Sequence, residues 1–456
     1  MDWLIALLIA VPAIILAFTR SSWLVDYSVF VFVFNRGLRR IVDYYIGAFN
    51  PLSPISLTPL VVAGVMALVL ALDFQQLPAR PRKFFAFFFV AFAISFVIGI
   101  LNVQLAAAYA LAEVLAPVGL AGYALLLNPA DEVKDRWIRS FSWGAILVSA
   151  YGWYQYLTIP PWDAFWLVSV DMVGYMGFPE PTQMTVFSTM SERGPVAAYL
   201  GYSVVPMIVS KRWRTIAGWP GVILVFSVIL LTLSRAGLII AAISTVIFLL
   251  LNRGAKGSQI VIACIILTAA SIYGIEKIPN SERVTKRFQS LKNMQEDDSY
   301  LGRTEIMRNG VGTVLTHPLG LGLGAGGMAT RVNTGTVATV TQFGDGGYFD
   351  ILLTYGIPGT WLMLGALVVA WKNFAIRFRL QFLRDDYVLL ARALMASLLV
   401  TCFVGNLLNG FSILWLAFGC AFAIPLRQRE ALRHALKVRQ QNAAQAAVVT
   451  GAAAAS

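Results

Sequence analysis

Long runs of apolar residues alternate with short polar and basic segments along almost the whole chain. Most runs approach or exceed the roughly 20 residues that an α-helix needs to cross a bilayer. The sequence therefore predicts twelve membrane-spanning helices, at residues 3–18, 57–72, 84–101, 105–127, 138–157, 195–210, 219–234, 236–251, 258–275, 347–371, 388–409 and 411–426.

One further apolar stretch, at residues 23–34, is shorter than the others. It runs into Arg36, Arg39 and Arg40 and then into a segment broken by prolines at 50–54. We interpret the stretch as interfacial or re-entrant, and the sequence leaves open whether it is a thirteenth span. The predicted fold class is an all-α polytopic membrane protein of about twelve transmembrane helices.

Composition supports a membrane protein and excludes an ordinary soluble enzyme. The 456 residues are 58% hydrophobic and only 13% charged, whereas about a quarter of the residues in a soluble protein are charged. The net charge of +12 is explained by basic loops on the cytoplasmic side, so we expect no nucleic-acid partner. Cysteines and histidines are too few and too scattered for a disulfide framework or a zinc site, and we expect no cofactor.

Basic clusters in six short loops fall on one side of the membrane, which we take to be the cytoplasm together with the C-terminus. Segments 158–194 and 276–346 are then external. The predicted organisation is a multi-span membrane domain at 1–426, a large periplasmic loop at 276–346 inserted in it, and a basic, alanine-rich cytoplasmic tail at 427–456. Two short helices, about 281–293 and 302–315, fit within the large loop.

Arginines near the external side are the first candidates for chemistry. Arg235 lies between two spans in Ser234-Arg235-Ala236-Gly237, and Arg193 begins another span after Glu192. An arginine this close to hydrocarbon either marks a helix end or binds an anion, and its planar fork suits a diphosphate. For Glu192 and Arg193, an exposed ion pair is the simpler interpretation.

The large loop carries a second group of candidates. Arg303 and Arg308 precede His317-Pro318-Leu319-Gly320-Leu321-Gly322-Leu323-Gly324. Glycines 322, 324 and 327 match the G-x-G-x-x-G pattern by letter, but no βαβ unit surrounds them, so we reject a nucleotide site. They allow either close backbone packing, with N–H groups able to meet phosphate oxygens, or a flexible turn.

Carboxylates supply the candidates for proton transfer. Asp345, in Gly344-Asp345-Gly346-Gly347-Tyr348-Phe349-Asp350, stands where a helix N-cap belongs, or where a general base would meet a sugar hydroxyl. Asp350 lies about one turn deeper. Glu113 is an acid within the 105–127 span, and we consider functional and structural roles equally for it.

The order of these features resembles the bacterial O-antigen ligase and polymerase superfamily. The motifs that carry the resemblance are Ser-Arg-Ala-Gly at a helix end, the basic external loop, His-Pro-Leu-Gly-Leu-Gly-Leu-Gly, and Asp-Gly-Gly-Tyr-Phe followed by Tyr-Gly-Ile-Pro-Gly. They cover roughly residues 180–370. The resemblance implies a metal-independent glycosyltransferase of the GT-C class in the bacterial inner membrane, which takes a glycan from an undecaprenyl diphosphate carrier at the external face.

The resemblance implies that Arg235 and Arg303 act on the donor diphosphate. From the residues themselves, we expect Asp345 to take the proton of the acceptor hydroxyl as the base. We expect substrate contacts from Arg193, Arg308, His317, Tyr348 and Asp350. Asp345-Gly346 stands where ligases usually have histidine and asparagine, which favours a polymerase.

Two other activities stay open: a ligase that transfers glycan to lipid A core, and a transporter of lipid-linked glycans. The expected partners are the lipid-linked donor and acceptor and membrane lipid. A chain-length regulator is a further candidate partner.

Overall fold

The computed structural model describes residues 2–50, 53–252, 310–326, 329, 347–379, 386–403, 405, 406, 408 and 410–423. Fourteen α-helices are named here, in chain order: α1 Asp2–Phe18, α2 Trp23–Ile46, α3 Thr58–Leu72, α4 Ala79–Val103, α5 Leu105–Leu127, α6 Asp131–Thr158, α7 Pro161–Ser169, α8 Val173–Met176, α9 Arg193–Val209, α10 Gly218–Leu231, α11 Arg235–Leu251, α12 Gly347–Arg379, α13 Asp386–Thr401 and α14 Ile413–Phe422.

These helices confirm the all-α membrane class. Four segments are long and apolar enough to cross a bilayer, namely Pro54–Leu72, Ala79–Val103, Leu105–Leu127 and Gly347–Ala375, and shorter apolar helices accompany them. Each predicted span within the described part of the chain coincides with a helix, whereas 258–275 lies outside it. The total number of spans and the GT-C class stay predictions.

Helix α2 contradicts the re-entrant interpretation of residues 23–34, whereas the interfacial position and the thirteenth span stay predictions. The helix continues without a break for 24 residues, about 36 Å at 1.5 Å per residue, and it packs against α1, α3, α6 and α7. Its basic residues do not end it, because they find partners inside the protein. Arg39 Nε lies 3.2 Å from Asp43 Oδ2, one turn along the same helix.

Contacts at both ends of α2 show how the helices run. Trp137 Nε1 of α6 donates a hydrogen bond to Ser22 O, just before α2, at 2.8 Å. Towards the other end of α2, Arg40 donates to Met190 O at 3.1 Å, in the segment that leads into α9. Helices α2 and α6 therefore run in the same direction. We call the end of the bundle where α2 ends and α9 begins the site end.

The remaining helices bring further elements to the site end. Val186 N donates to Leu231 O at 3.2 Å, which places the end of α10, and so the start of α11, beside the segment before α9. Helix α11 packs between α9 and α13, and α12 packs along α4. Helix starts and helix ends that are far apart in sequence therefore meet at one end of the bundle.

Candidate functional site

Arg193 and Arg235 are the first residues of two helices that pack against each other, α9 and α11. Glycines allow this packing. A Cβ atom at Gly237 would lie 2.5 Å from Ala197 O, and one at Gly201 would lie 2.6 Å from Gly237 O. The glycine of Ser-Arg-Ala-Gly is therefore needed for helix contact, and it sets the arginine two residues earlier at the start of α11.

The two arginine side chains are half-buried at the site end. The Arg193 guanidinium lies over the Tyr175 ring, 4.2 Å from its centroid, with Tyr175 half exposed. This contact replaces the exposed ion pair with Glu192 as the interaction that the structure records for Arg193. Two positive charges at helix starts also meet the positive end of each helix dipole, so an anion there would be stabilised by both.

Tyr348 and Asp350 lie in the first turn of α12 and contact the last turn of α13 and the chain that follows it. Asn406 Nδ2 donates a hydrogen bond to Asp350 Oδ2 at 2.6 Å. The Tyr348 hydroxyl donates to Leu399 O, and its ring meets Phe403 edge-on at 4.9 Å. Both side chains are partly accessible.

Helix α13 brings this part of α12 to the site end. Ser244 Oγ of α11 donates to Ser397 Oγ at 2.7 Å, and nearer the site end the Tyr202 hydroxyl of α9 lies beside Thr401. The last turn of α13 therefore points the same way as the first turn of α11. Asp350, Arg193 and Arg235 share one end of the bundle.

The glycine-rich stretch is packed into the bundle, which answers the choice between a phosphate cradle and a flexible turn. Leu321 N and Gly322 N donate to Leu353 O and Thr354 O of α12 at 2.7 and 3.2 Å, and Leu323 N donates to Ser95 O of α4 at 2.9 Å. These N–H groups are therefore used within the protein. We call residues 318–324 the glycine wedge.

Each glycine of the wedge has a positive φ angle, between 82° and 89°, and each lies against a helix backbone. A Cβ atom at Gly320 would lie 2.5 Å from Gly356 N, and one at Gly324 would lie 2.5 Å from Ala106 C. Only glycine fits such positions without strain. The wedge meets α12 where the helix breaks at Gly356, with φ 66° and ψ −177°. The motifs His-Pro-Leu-Gly-Leu-Gly-Leu-Gly and Tyr-Gly-Ile-Pro-Gly are thus two halves of one packing contact.

His317 precedes the wedge and is exposed. Its Nδ1 lies 3.0 Å from Thr316 Oγ1 and 3.3 Å from Thr313 O. Residues 310–316, the described end of the predicted helix 302–315, are helical. Arg303, Arg308 and Asp345 lie outside the described residues, so their predicted roles stay predictions.

The segment before α9 is held by a buried polar cluster that the sequence did not reveal. Arg40 Nε pairs with Asp163 Oδ1 at 3.1 Å, and its two Nη atoms donate to Met190 O and Ser188 O. Gln155 Oε1 accepts a hydrogen bond from Ser188 N at 2.7 Å. Arg40 and Asp163 are almost fully buried. We call these five residues the Arg40 clamp, and it fixes the approach to Arg193.

Arg36 is the candidate that the motifs missed. Its guanidinium donates to the buried Ser191 hydroxyl, two residues before Arg193. The signal was present in the sequence as an anomaly, because three arginines follow directly after the apolar stretch 23–34 and belong to none of the six cytoplasmic clusters. The general bias of basic residues to the cytoplasmic side does not explain these three arginines.

A comparison with protein families supports the resemblance found from the motifs. Residues 220–364 match the family model described as O-antigen ligase, a stretch that includes most of α10, all of α11, the glycine wedge and the first half of α12. No match was found among curated proteins. Residues 220–364 are thus similar to the O-antigen ligase family, the resemblance that the motifs predicted.

Proposed function

We propose that the protein joins undecaprenyl-diphosphate-linked oligosaccharide repeats into O-antigen or exopolysaccharide at the periplasmic face of the inner membrane. The observation that carries the proposal is the placement of Arg193, Arg235 and Asp350 at one end of the bundle. Arginines and a carboxylate in one place suit a substrate that carries both a diphosphate and sugar hydroxyls. The family match over residues 220–364 points to the same class of substrate.

The arginines would act on the leaving group. The bond between the anomeric carbon and the diphosphate oxygen breaks as the acceptor hydroxyl oxygen bonds to that carbon, and negative charge grows on the diphosphate. Guanidinium groups at Arg235 and Arg193, joined by Arg303 from the large loop, would stabilise that charge without a metal ion. A half-buried setting strengthens each interaction relative to water.

A carboxylate would take the proton that the acceptor hydroxyl releases. Asp345 is the proposed base, and it precedes the first residue of α12 by only two positions. Asp350, oriented by Asn406, would then accept hydrogen bonds from sugar hydroxyls. Attack from the side opposite the diphosphate inverts the anomeric centre.

A ligase activity is the second candidate, because the matching family model is described as O-antigen ligase. The two reactions differ only in the acceptor, which is a second lipid-linked repeat for a polymerase and lipid A core for a ligase. Asp345-Gly346, in place of the histidine and asparagine usual in ligases, is the reason for preferring polymerisation.

The test is to incubate the purified protein in detergent with lipid-linked repeats, alone and with lipid A core added. A ladder of longer lipid-linked products without lipid A core supports the polymerase. A single transfer that requires lipid A core identifies a ligase. Unchanged substrate in both reactions contradicts the proposal and points to a transporter. The Arg235→Ala protein is the matched control for background elongation.

A further inference from the structure

A second polar group lies deeper in the bundle than Arg193 and Arg235. Arg36 of α2 interacts electrostatically with Glu113 and Tyr109 of α5. The Tyr109 phenol lies against the Glu113 carboxylate, one helical turn away. Ser191, from the segment before α9, accepts a hydrogen bond from Arg36. We call Arg36, Tyr109, Glu113 and Ser191 the inner polar group.

The depth of this group calls for an explanation. Arg36 lies ten residues before the last residue of α2, and Glu113 lies eight residues after the first residue of α5. At 1.5 Å per residue these distances are about 15 and 12 Å along the helices. Ionisable residues at such depth are costly unless they face a polar interior. Arg36, Tyr109 and Glu113 are all only half-buried, so their surfaces are reachable.

Most of the hydrogen-bond donors of Arg36 have no acceptor among the residues that the structure describes. Arg39 and Arg40, in the next turn, each pair with a carboxylate and donate to a backbone carbonyl. Within the described part of the chain, the Ser191 hydroxyl is the one hydrogen-bond acceptor recorded for Arg36. A guanidinium carries five N–H donors, so Arg36 has donors to offer a ligand.

The charge of the group selects the kind of ligand. Arg36 and Glu113 together are neutral, whereas Arg193 and Arg235 both carry positive charge. A diphosphate beside Glu113 would meet a like charge, which costs free energy in a partly buried site. A sugar hydroxyl both donates and accepts hydrogen bonds, and the group offers a carboxylate, a guanidinium, a phenol and a hydroxyl to it.

Stacked aromatic rings lie next to the inner polar group. Phe32 lies one turn before Arg36, and its ring stacks on Phe411 at 3.9 Å. Phe411 also stacks on Phe141 of α6, at 5.9 Å. The inner polar group therefore adjoins an apolar surface, and this combination of apolar and polar side chains is common in ligand sites.

We propose that Arg36, Tyr109, Glu113 and Ser191 bind a neutral sugar ring of the lipid-linked substrate. This inference rests on the proposed function, and it adds a sugar subsite to the diphosphate site of Arg193 and Arg235. The ring belongs either to the donor repeat or to the acceptor repeat, which share the same chemistry.

The first experiment measures binding without turnover. The probe is the free oligosaccharide repeat, released from its lipid by mild acid, and binding to the full chain in detergent is followed by saturation-transfer NMR. Tyr109→Phe and Ser191→Ala remove one oxygen each and are expected to weaken binding about tenfold, the effect of losing one good hydrogen bond to a ligand. Tyr123→Phe is the matched control, because its phenol donates to Ser21 O at the opposite end of α5. Binding unchanged in Tyr109→Phe and Ser191→Ala overturns the subsite.

The second experiment separates a ligand contact from a structural ion pair. Arg36→Glu and Glu113→Arg are made singly and together. A structural pair predicts that the double variant recovers oligosaccharide binding, and that result overturns the proposal. A ligand contact predicts that all three variants bind at least tenfold more weakly while the thermal midpoint of the double variant stays near that of the unchanged protein. If the single variants do not fold, Tyr109→Phe and Ser191→Ala decide the question.

Elongation assays then assign the ring to donor or acceptor. A repeat with its acceptor hydroxyl blocked serves only as donor, and the lipid-free repeat serves only as acceptor. Tyr109→Phe is expected to raise KM for one of them and leave kcat within about twofold. Oligosaccharide binding without any elongation by the unchanged protein would contradict the proposed polymerase and leave the sugar subsite standing. Elongation with unchanged KM values in the variants would contradict the sugar subsite and leave the proposed polymerase standing.

Discussion

Arg40 is enclosed by protein, whereas Arg193 lies half-buried over the Tyr175 ring at the start of a helix. The difference decides what each guanidinium contributes. The N–H groups of Arg40 bind Asp163 and two backbone carbonyls. Arg40 therefore contributes to the free energy of unfolding and not to substrate binding. Arg193 and Arg235 start helices at the site end, where their guanidinium groups would contact a substrate diphosphate.

Replacing Arg235 with alanine is expected to reduce polymer synthesis by at least about 100-fold. Removing one donor that stabilises developing negative charge typically costs 10²–10³ in rate. The amount of protein in the membrane should stay near normal, because Arg235 is only half-buried. Polymer is measured on gels of cell extracts, and Lys211→Ala, at the opposite end of α9, is the control. Polymer of normal length in Arg235→Ala cells would contradict the diphosphate role.

Replacing Arg40 with methionine is expected to destabilise the protein, because Asp163 would be left as a buried, unpaired charge. Breaking a buried pair in this way costs about 3–5 kcal/mol in proteins generally. The measurement is the thermal midpoint of the purified protein in detergent. Arg82→Ala is the matched control, since Arg82 Nη1 donates to Gln75 Oε1 at 3.3 Å in an exposed contact, and its midpoint should hardly change. Equal midpoints for the two variants would show that the Arg40 clamp does not stabilise the protein.

At the scale of elements, the glycine wedge and the break in α12 depend on each other. Ile357 N, which lies just after the break, donates to Pro318 O at 2.9 Å. Gly320 and Gly356 approach so closely that neither tolerates a Cβ atom. The wedge thus anchors residues 318–324 of the large loop to α4, α5 and α12.

Gly322→Ala is expected to abolish stable insertion of the protein. Its φ angle is +89°, and an added Cβ atom would overlap the backbone of Gly99 in α4. Gly326→Ala, two residues after the wedge, has nothing within 4 Å of the added atom and should leave protein levels unchanged. Membrane protein levels are measured by immunoblot. If Gly322→Ala accumulates and elongates normally, the wedge is not needed for the fold.

At the scale of the whole molecule, one end of the bundle collects the starts of α9, α11 and α12, the last turn of α2 and the wedge. Helix α2 contributes three arginines to this end, against the usual cytoplasmic bias of basic residues. Carboxylates and carbonyls inside the protein compensate Arg39 and Arg40. An external site end is therefore compatible with the charge distribution.

Reporter fusions test which side the site end faces. A fusion of alkaline phosphatase after residue 300 is expected to be active, since the enzyme folds only outside the cytoplasm. A fluorescent protein fused after residue 430 is expected to be fluorescent, which requires a cytoplasmic C-terminus. Exchanging the two reporters is the control and should abolish both signals. An active phosphatase at residue 430 together with an inactive one at residue 300 would invert the topology.

The positions of most long helices in the described part of the chain were predictable from the sequence, because burial in a bilayer depends on a run of apolar residues. The candidate arginines Arg193 and Arg235 were found for a similar reason, since a charge at the edge of an apolar run is visible in the chain itself. Motif order also indicated the family whose model matches residues 220–364. All of these signals are local.

Other features were decided only by tertiary contacts. The length of α2 depends on Asp163 and Met190, more than 120 residues away from Arg40. In the sequence, the glycine pattern is equally compatible with a phosphate loop and with a turn. In the structure, carbonyl oxygens of α4 and α12 accept hydrogen bonds from its N–H groups. Arg36 and Glu113 belong to helices that the chain separates by two others, so no spacing in the sequence relates them. Hydropathy determines where a helix lies, but the partner of a buried polar group is chosen by whichever residues the packing brings within hydrogen-bond distance.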